Sequence, residues 1–117
     1  MLVRNAQIDF DPTDYEVIER LETLPERHKK KVEELNKITD PVQQMKSYAQ
    51  YLVEIIDSIF GADTVKKCGA KETSVRDLTT LLDECVTAAK RENFEYRQSL
   101  QAMVMKYDPN RAKRKNK

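Results

Sequence analysis

Between Pro41 and Phe60 the apolar residues Val42, Met45, Ala49, Leu52, Ile56 and Ile59 are spaced 3, 4, 3, 4 and 3 apart. Only an α-helix gathers such positions onto one side, and a seam kept up over about five turns must lie against another element. Tyr48, Val53, Ile55 and Phe60 widen the seam, so this helix is expected to be the centre of the core. Its ends are marked. Asp40 can cap the free N–H groups, Pro41 suits the first turn, and Gly61 stands where a left-handed residue is wanted.

The same device precedes the seam. Asp11-Pro12-Thr13-Asp14 reads as a helix start, with Asp11 as cap, and the spacing predicts a first helix from Pro12 toward Ile38. Its inner stripe is Tyr15, Ile18, Leu21, Leu24, His28, Val32, Leu35 and Ile38. Pro25 removes one backbone bond, which predicts a kink near Thr23 or two helices end to end. Ahead of this helix Ala6, Ile8 and Phe10 alternate with Asn5, Gln7 and Asp9, the pattern of a half-buried strand. A strand needs a partner for its backbone. The segment is therefore a disordered arm, or is completed by Met1 to Val3 folding back or by another subunit.

After Gly61 a short helical turn, closed by Gly69, forms a corner. Ser74 and Asp77 then have the form of a capping box and open a third long helix with no breaker before Tyr107. Its stripe is Val75, Leu78, Leu82, Cys85, Ala89, Tyr96, Leu100, Met103 and Tyr107, interrupted by the charged Lys90 to Asn93. A helix of this length extends about 50 Å, longer than a domain of this size, so its last turns must project or bend back. Asp108-Pro109-Asn110 ends it. The reading is thus mainly α: a bundle of three helices plus one short helix, with a strand-like arm over residues 1–10, a helical domain over 11–108 and a disordered basic tail over 109–117.

Chemistry-bearing residues are scarce. Two glycines exclude phosphate loops that require two or three in close spacing, and a single histidine, His28, has no clustered co-ligands. Cys68 and Cys85 lack the spacing of zinc or redox motifs and read as small buried apolar residues. No enzymatic role and no cofactor is expected. No apolar run approaches the ~20 residues that cross a bilayer, and no signal leader follows Met1, so a cytoplasmic protein is expected. The 21 basic and 20 acidic residues nearly balance, but five of the positive charges lie in residues 111–117. That run, with Lys29 to Lys31, leaves open a salt-sensitive attraction to nucleic acid. Glu33 and Glu34 directly after the lysines favour a solvated, ion-paired face instead.

The stretch Tyr51 to Gly61, followed by a turn ending at Gly69 and a capped helix, resembles the small tail assembly chaperones of long-tailed phages and prophages of Gram-positive bacteria. Asp57, Phe60, Gly61 and Gly69 fill that family's pattern, and Ile8-Asp9-Phe10-Asp11-Pro12 before Tyr15 and Glu16 is similar to its strand-to-helix passage. The resemblance spans residues 6–90. Cys68 departs from it, standing where an aromatic residue is expected before the closing glycine. The resemblance implies a self-associating protein of the bacterial host cytoplasm. It would bind the tape measure protein, with the tail tube protein as a further partner, while tube subunits polymerise.

Stripe spacing alone nominates Ile8, Phe10, Met45, Leu52, Ile56, Ile59, Phe60, Leu100, Met103 and Tyr107 as interaction residues. Two other readings use the same helices. One is a structural adaptor or connector retained in a particle; the other is a nucleic-acid-associated protein acting through the basic tail.

Overall fold

The computed structural model describes residues 1–107, so the expected basic tail lies outside the described residues. The chain forms β1 (Leu2–Val3), β2 (Ala6–Gln7), α1 (Tyr15–Leu35), α2 (Pro41–Phe60), α3 (Thr64–Lys67) and α4 (Val75–Lys106). It is mainly helical with a short two-stranded sheet at its start.

That sheet settles the strand question: Met1 to Val3 fold back. β1 and β2 pair antiparallel with Val3 opposite Ala6. Arg4 and Asn5 between them both have positive φ, 49° and 64°, the sign pattern of a type I′ turn. The Ile8 N–H donates to the Met1 carbonyl at 2.7 Å and extends the pairing. Ile8 and Phe10 turn inward while Gln7 and Asp9 stay exposed, as the alternation predicts.

α2 has the expected bounds. Asp40 caps it by accepting from the Gln43 N–H, Pro41 opens it, and Gly61 follows at φ 118°. The start of α1 differs from expectation, because Asp14, and not Asp11, is the cap and the helix begins at Tyr15. The Asp11 carboxylate is engaged by the hydroxyl and N–H of Thr13, at 2.6 and 2.9 Å. Both bonds hold its carboxyl below the ordinary carboxylate range, the hydroxyl most. This later start places Val17 inside and leaves Tyr15 70% exposed. α1 stops at Leu35, short of Ile38, and it is one uninterrupted helix with Pro25 inside, not two helices end to end. Pro25 is tolerated on the exposed side of the helix.

α2 is the element the others share: α1 lies along one side of it, and α4 and α3 along another. α1 runs back along α2, since Leu35 shares a cleft with Ser47 and Tyr51, and Val17 shares one with Ser58 and Phe60. Between these two helices Tyr51 and His28 form a hydrogen-bonded pair, 3.0 Å from hydroxyl to Nδ1. Burial pushes the Tyr51 phenol upward.

α4 runs in the same direction as α2. Glu72 and Thr73, just before it, share a groove with Val42, Met45 and Ala49 near the start of α2. Further along, Asn93 donates to the Pro12 carbonyl at 2.8 Å. Nearby, Phe10 packs on Phe60 at the end of α2, ring centroids 4.8 Å apart. Leu52, Ile56, Phe60, Val65, Leu78, Leu81 and Cys85 fill the interior. The helix continues without a break through Lys90 to Asn93 to Lys106.

Candidate protein-interaction site

The two ends of the α2–α4 pair are built differently, and each leaves apolar surface open. At the corner between them Asp57, Gly61 and Gly69 act on the backbone. The Asp57 carboxylate accepts from the Val65 N–H at 3.1 Å, capping the turn that α3 begins. The Thr64 hydroxyl donates to the Gly61 carbonyl at 2.6 Å. Gly69 sits at φ 67°, a left-handed conformation that costs a side chain about 1–2 kcal/mol. Cys68, beside it, is buried and directs its Sγ at the Val3 carbonyl, 3.7 Å away. The corner therefore packs on the N-terminal hairpin at the position where the resemblance expects an aromatic ring.

Arg4 clamps the same hairpin to α4. Its Nε donates to Glu84 Oε2 at 2.9 Å and its Nη2 to Asp77 Oδ1 at 3.0 Å. Glu84 first, with Asp77, raises the Arg4 guanidinium further. The second Asp77 oxygen accepts from the Lys71 N–H at 2.7 Å. That backbone bond, and then Arg4, holds the Asp77 carboxyl below its usual range. Cys85 is wholly buried and its thiol is pushed up to about 12, mainly by that burial, so neither cysteine is presented as a nucleophile. Among the described residues no group of three or more His, Cys, Asp or Glu is placed to hold a metal ion. Among them, no helix is long and apolar enough to cross a membrane.

The nominated residues divide between these surroundings. Ile8, Phe10, Leu52, Ile56, Ile59 and Phe60 are core residues of this chain, so they are not on its open surface and would meet a partner only by giving up contacts within the chain. Met45, Leu100, Met103 and Tyr107 are exposed. Phe94, Tyr96, Val104 and Met105 join the last three on the outer part of α4, where every residue from Phe94 to Tyr107 is exposed. Tyr96, Leu100, Met103 and Tyr107 are spaced 4, 3 and 4, and they continue the helical stripe of Leu78, Leu82, Cys85 and Ala89. The first four are buried; the second four are exposed, Tyr96 at the edge of a cleft it shares with Phe10 to Thr13, and among the described residues Leu100, Met103 and Tyr107 pack on no other element. Met45 lies elsewhere, in an apolar groove of about 730 Å³ formed by Pro41, Val42, Met45, Ala49, Glu72 and Thr73. Sequence reasoning missed that groove, because Glu72 and Thr73 are brought to it only by the corner.

A family model covers residues 4–117. The chain belongs to the DUF6673 family. The description of that family, a family of unknown function, names no activity, substrate or partner. No curated protein and no solved structure matches the chain.

Proposed function

We propose that this DUF6673 protein is a non-catalytic binding protein that holds a helical, apolar segment of another protein along the outer half of α4. The observation that carries this reading is the stripe Tyr96, Leu100, Met103 and Tyr107, which extends a buried seam past Asn93, the last α4 residue that hydrogen-bonds the body among the described residues. A preformed helix with one apolar side matches the helix-on-helix mode of recognition. Each large apolar side chain it buries contributes about 1.5–3 kcal/mol. Charges beside the stripe, Arg97 and Lys106, stand 6.0 and 5.6 Å from the Phe94 and Tyr107 rings and keep the open helix solvated.

The specific form we propose is tail assembly: a phage or prophage chaperone that binds the long helical tape measure protein. The match of Asp57, Phe60, Gly61 and Gly69 to that family's pattern supports it, together with the backbone roles of Asp57, Gly61 and Gly69 at the corner and the packing of the Phe60 ring on Phe10. The test is capture of a tape measure segment encoded in the same genome. The double variant Leu100→Glu, Met103→Glu should weaken capture at least about tenfold while retaining the wild-type melting temperature. Unchanged capture by that variant refutes the surface. Failure of the wild type to bind any part of the tape measure protein refutes the tail-assembly form, and recovery of the protein in purified particles points to a retained structural subunit.

A further inference from the structure

α2 and α4 run in the same direction but out of step, and each overhangs the other at an opposite end. α4 begins beside Ala49, so about two turns of α2 before that point, with Val42 and Met45 on the seam, have no helix against them; Val42 is 76% exposed. At the far end about four turns of α4 beyond Asn93 have no α2 against them. The open part of α2 is the upstream continuation of the face that packs on α4. The open part of α4 is the downstream continuation of the face that packs on α2. Ala49 lies in both settings, as a buried core residue and as the floor of the groove.

We propose that the occupant of the groove is a second copy of this chain, inserted through its own outer α4, so that copies join head to tail. The inserted helix repeats between molecules the parallel α2–α4 packing that exists within each one. Tyr96, Leu100, Met103 and Tyr107 would take, on the Val42–Met45–Ala49 face of the next copy, the place that Leu78, Leu82, Cys85 and Ala89 take on Leu52, Ile56 and Ile59. Because the directions match, the end of the inserted helix arrives where the next α4 begins. This brings Lys106 toward Glu72, an opposite charge at the rim of the groove. The contact is heterologous, so it leaves one groove and one helix free at the ends and adds further copies. With about two turns of α2 available it buries on the order of 1,000 Å² in total, at the weak, concentration-dependent end of specific contacts. The inference rests on the reading of outer α4 as a binding helix, and it names the partner that helix holds when no client is present.

Sedimentation velocity over a concentration series tests it, with two single variants. Met45→Glu spoils only the groove and Leu100→Glu only the inserted helix; both side chains are exposed, so both variants should fold and melt as the wild type does. Wild type should grow past dimer with concentration, and each variant alone should stay monomeric where wild type associates, its dissociation constant raised at least about tenfold. An equal mixture should form a dimer and stop there, since the intact helix of Met45→Glu enters the intact groove of Leu100→Glu. A mixture that remains monomeric overturns the proposal. So does dimerisation of Met45→Glu alone, which would indicate tail-to-tail pairing, and so does a wild type that is monomeric throughout. If wild type is monomeric while Leu100→Glu still loses tape measure capture, the head-to-tail inference falls and the functional reading stands. If mixing restores the dimer but capture never depends on Leu100, the reverse holds.

Discussion

Ile56 and Leu100 occupy equivalent places on their stripes, yet alanine at the two positions should have sharply different effects on folding. Ile56 is 0% exposed and Leu100 is 43% exposed. Ile56→Ala removes three buried carbons, about 2.4 kcal/mol at ~0.8 each. The space left behind adds up to about 1–2 kcal/mol where neighbours cannot collapse into it, for a total of about 2.5–4 kcal/mol. A domain of this size has about 5–15 kcal/mol in hand, so the variant folds but is markedly weakened. Leu100→Ala should stay within about 0.5 kcal/mol of wild type, since it loses contacts only with its own helix and gains slightly in helix propensity. Urea titration followed by far-UV circular dichroism, at protein concentrations too low for association, reads both. With a slope of about 1–1.5 kcal/mol/M, Ile56→Ala should lower the midpoint by about 2–4 M and Leu100→Ala by less than about 0.5 M. Equal losses at the two positions would refute the reasoning, for they would mean that outer α4 is packed within the single molecule.

Four further outcomes follow from the same structure. Asp77 has a depressed carboxyl in the folded state, so its contribution is present above the ordinary carboxylate value and lost as pH falls through the folded one. Below about pH 4 wild-type stability should therefore decline more steeply than that of Asp77→Asn, and parallel declines in acid titrations would count against this. Cys85, its thiol raised to about 12, should resist alkylation at pH 8 in the folded protein and react once unfolded; rapid native labelling, read by mass spectrometry, contradicts its burial. Gly61→Ala should lower stability by about 1–3 kcal/mol, because φ 118° disfavours a side chain although the nearest atom, Thr64 Oγ1, is a comfortable 3.8 Å from the new carbon. Amide exchange should be faster over residues 94–107 than over 78–89 in dilute protein, and equal protection would contradict an unsupported outer helix.

Much of the fold was legible because it is decided locally. Asp40, Pro41 and Gly61 delimit α2, and Ser74 opens α4 by accepting from the Asp77 N–H, each through a bond spanning a few residues. Where two local solutions compete, sequence reading lost its way. Asp11 and Asp14 can each cap a helix, and the competition is resolved by Thr13, which engages Asp11, and by Pro12, whose carbonyl receives Asn93 from a distant part of the chain. Pro25 predicts a kink or two helices end to end because its backbone deficit is local, but the buried Val17, Leu24 and Leu35 hold one helix together across it.

The interaction residues show why a stripe identifies buried and sticky positions alike. Leu52 and Leu100 both lie on apolar stripes at helical spacing, and no local property of either tells which one has a neighbour. What separates them is the stagger between α2 and α4, and that stagger is set by the corner. The residues from Gly61 to Ser74 carry the chain back along α2 before α4 starts, so α4 begins beside Ala49 instead of beside Phe60. Arg4, tied to Asp77 and Glu84, then fixes the hairpin against the first turns of α4, and Asn93 makes the last such tie among the described residues, at Pro12. A corner a few residues shorter would start α4 nearer Phe60, change which parts of both seams lie uncovered, and remove the matching overhangs on which the proposed partner binding depends.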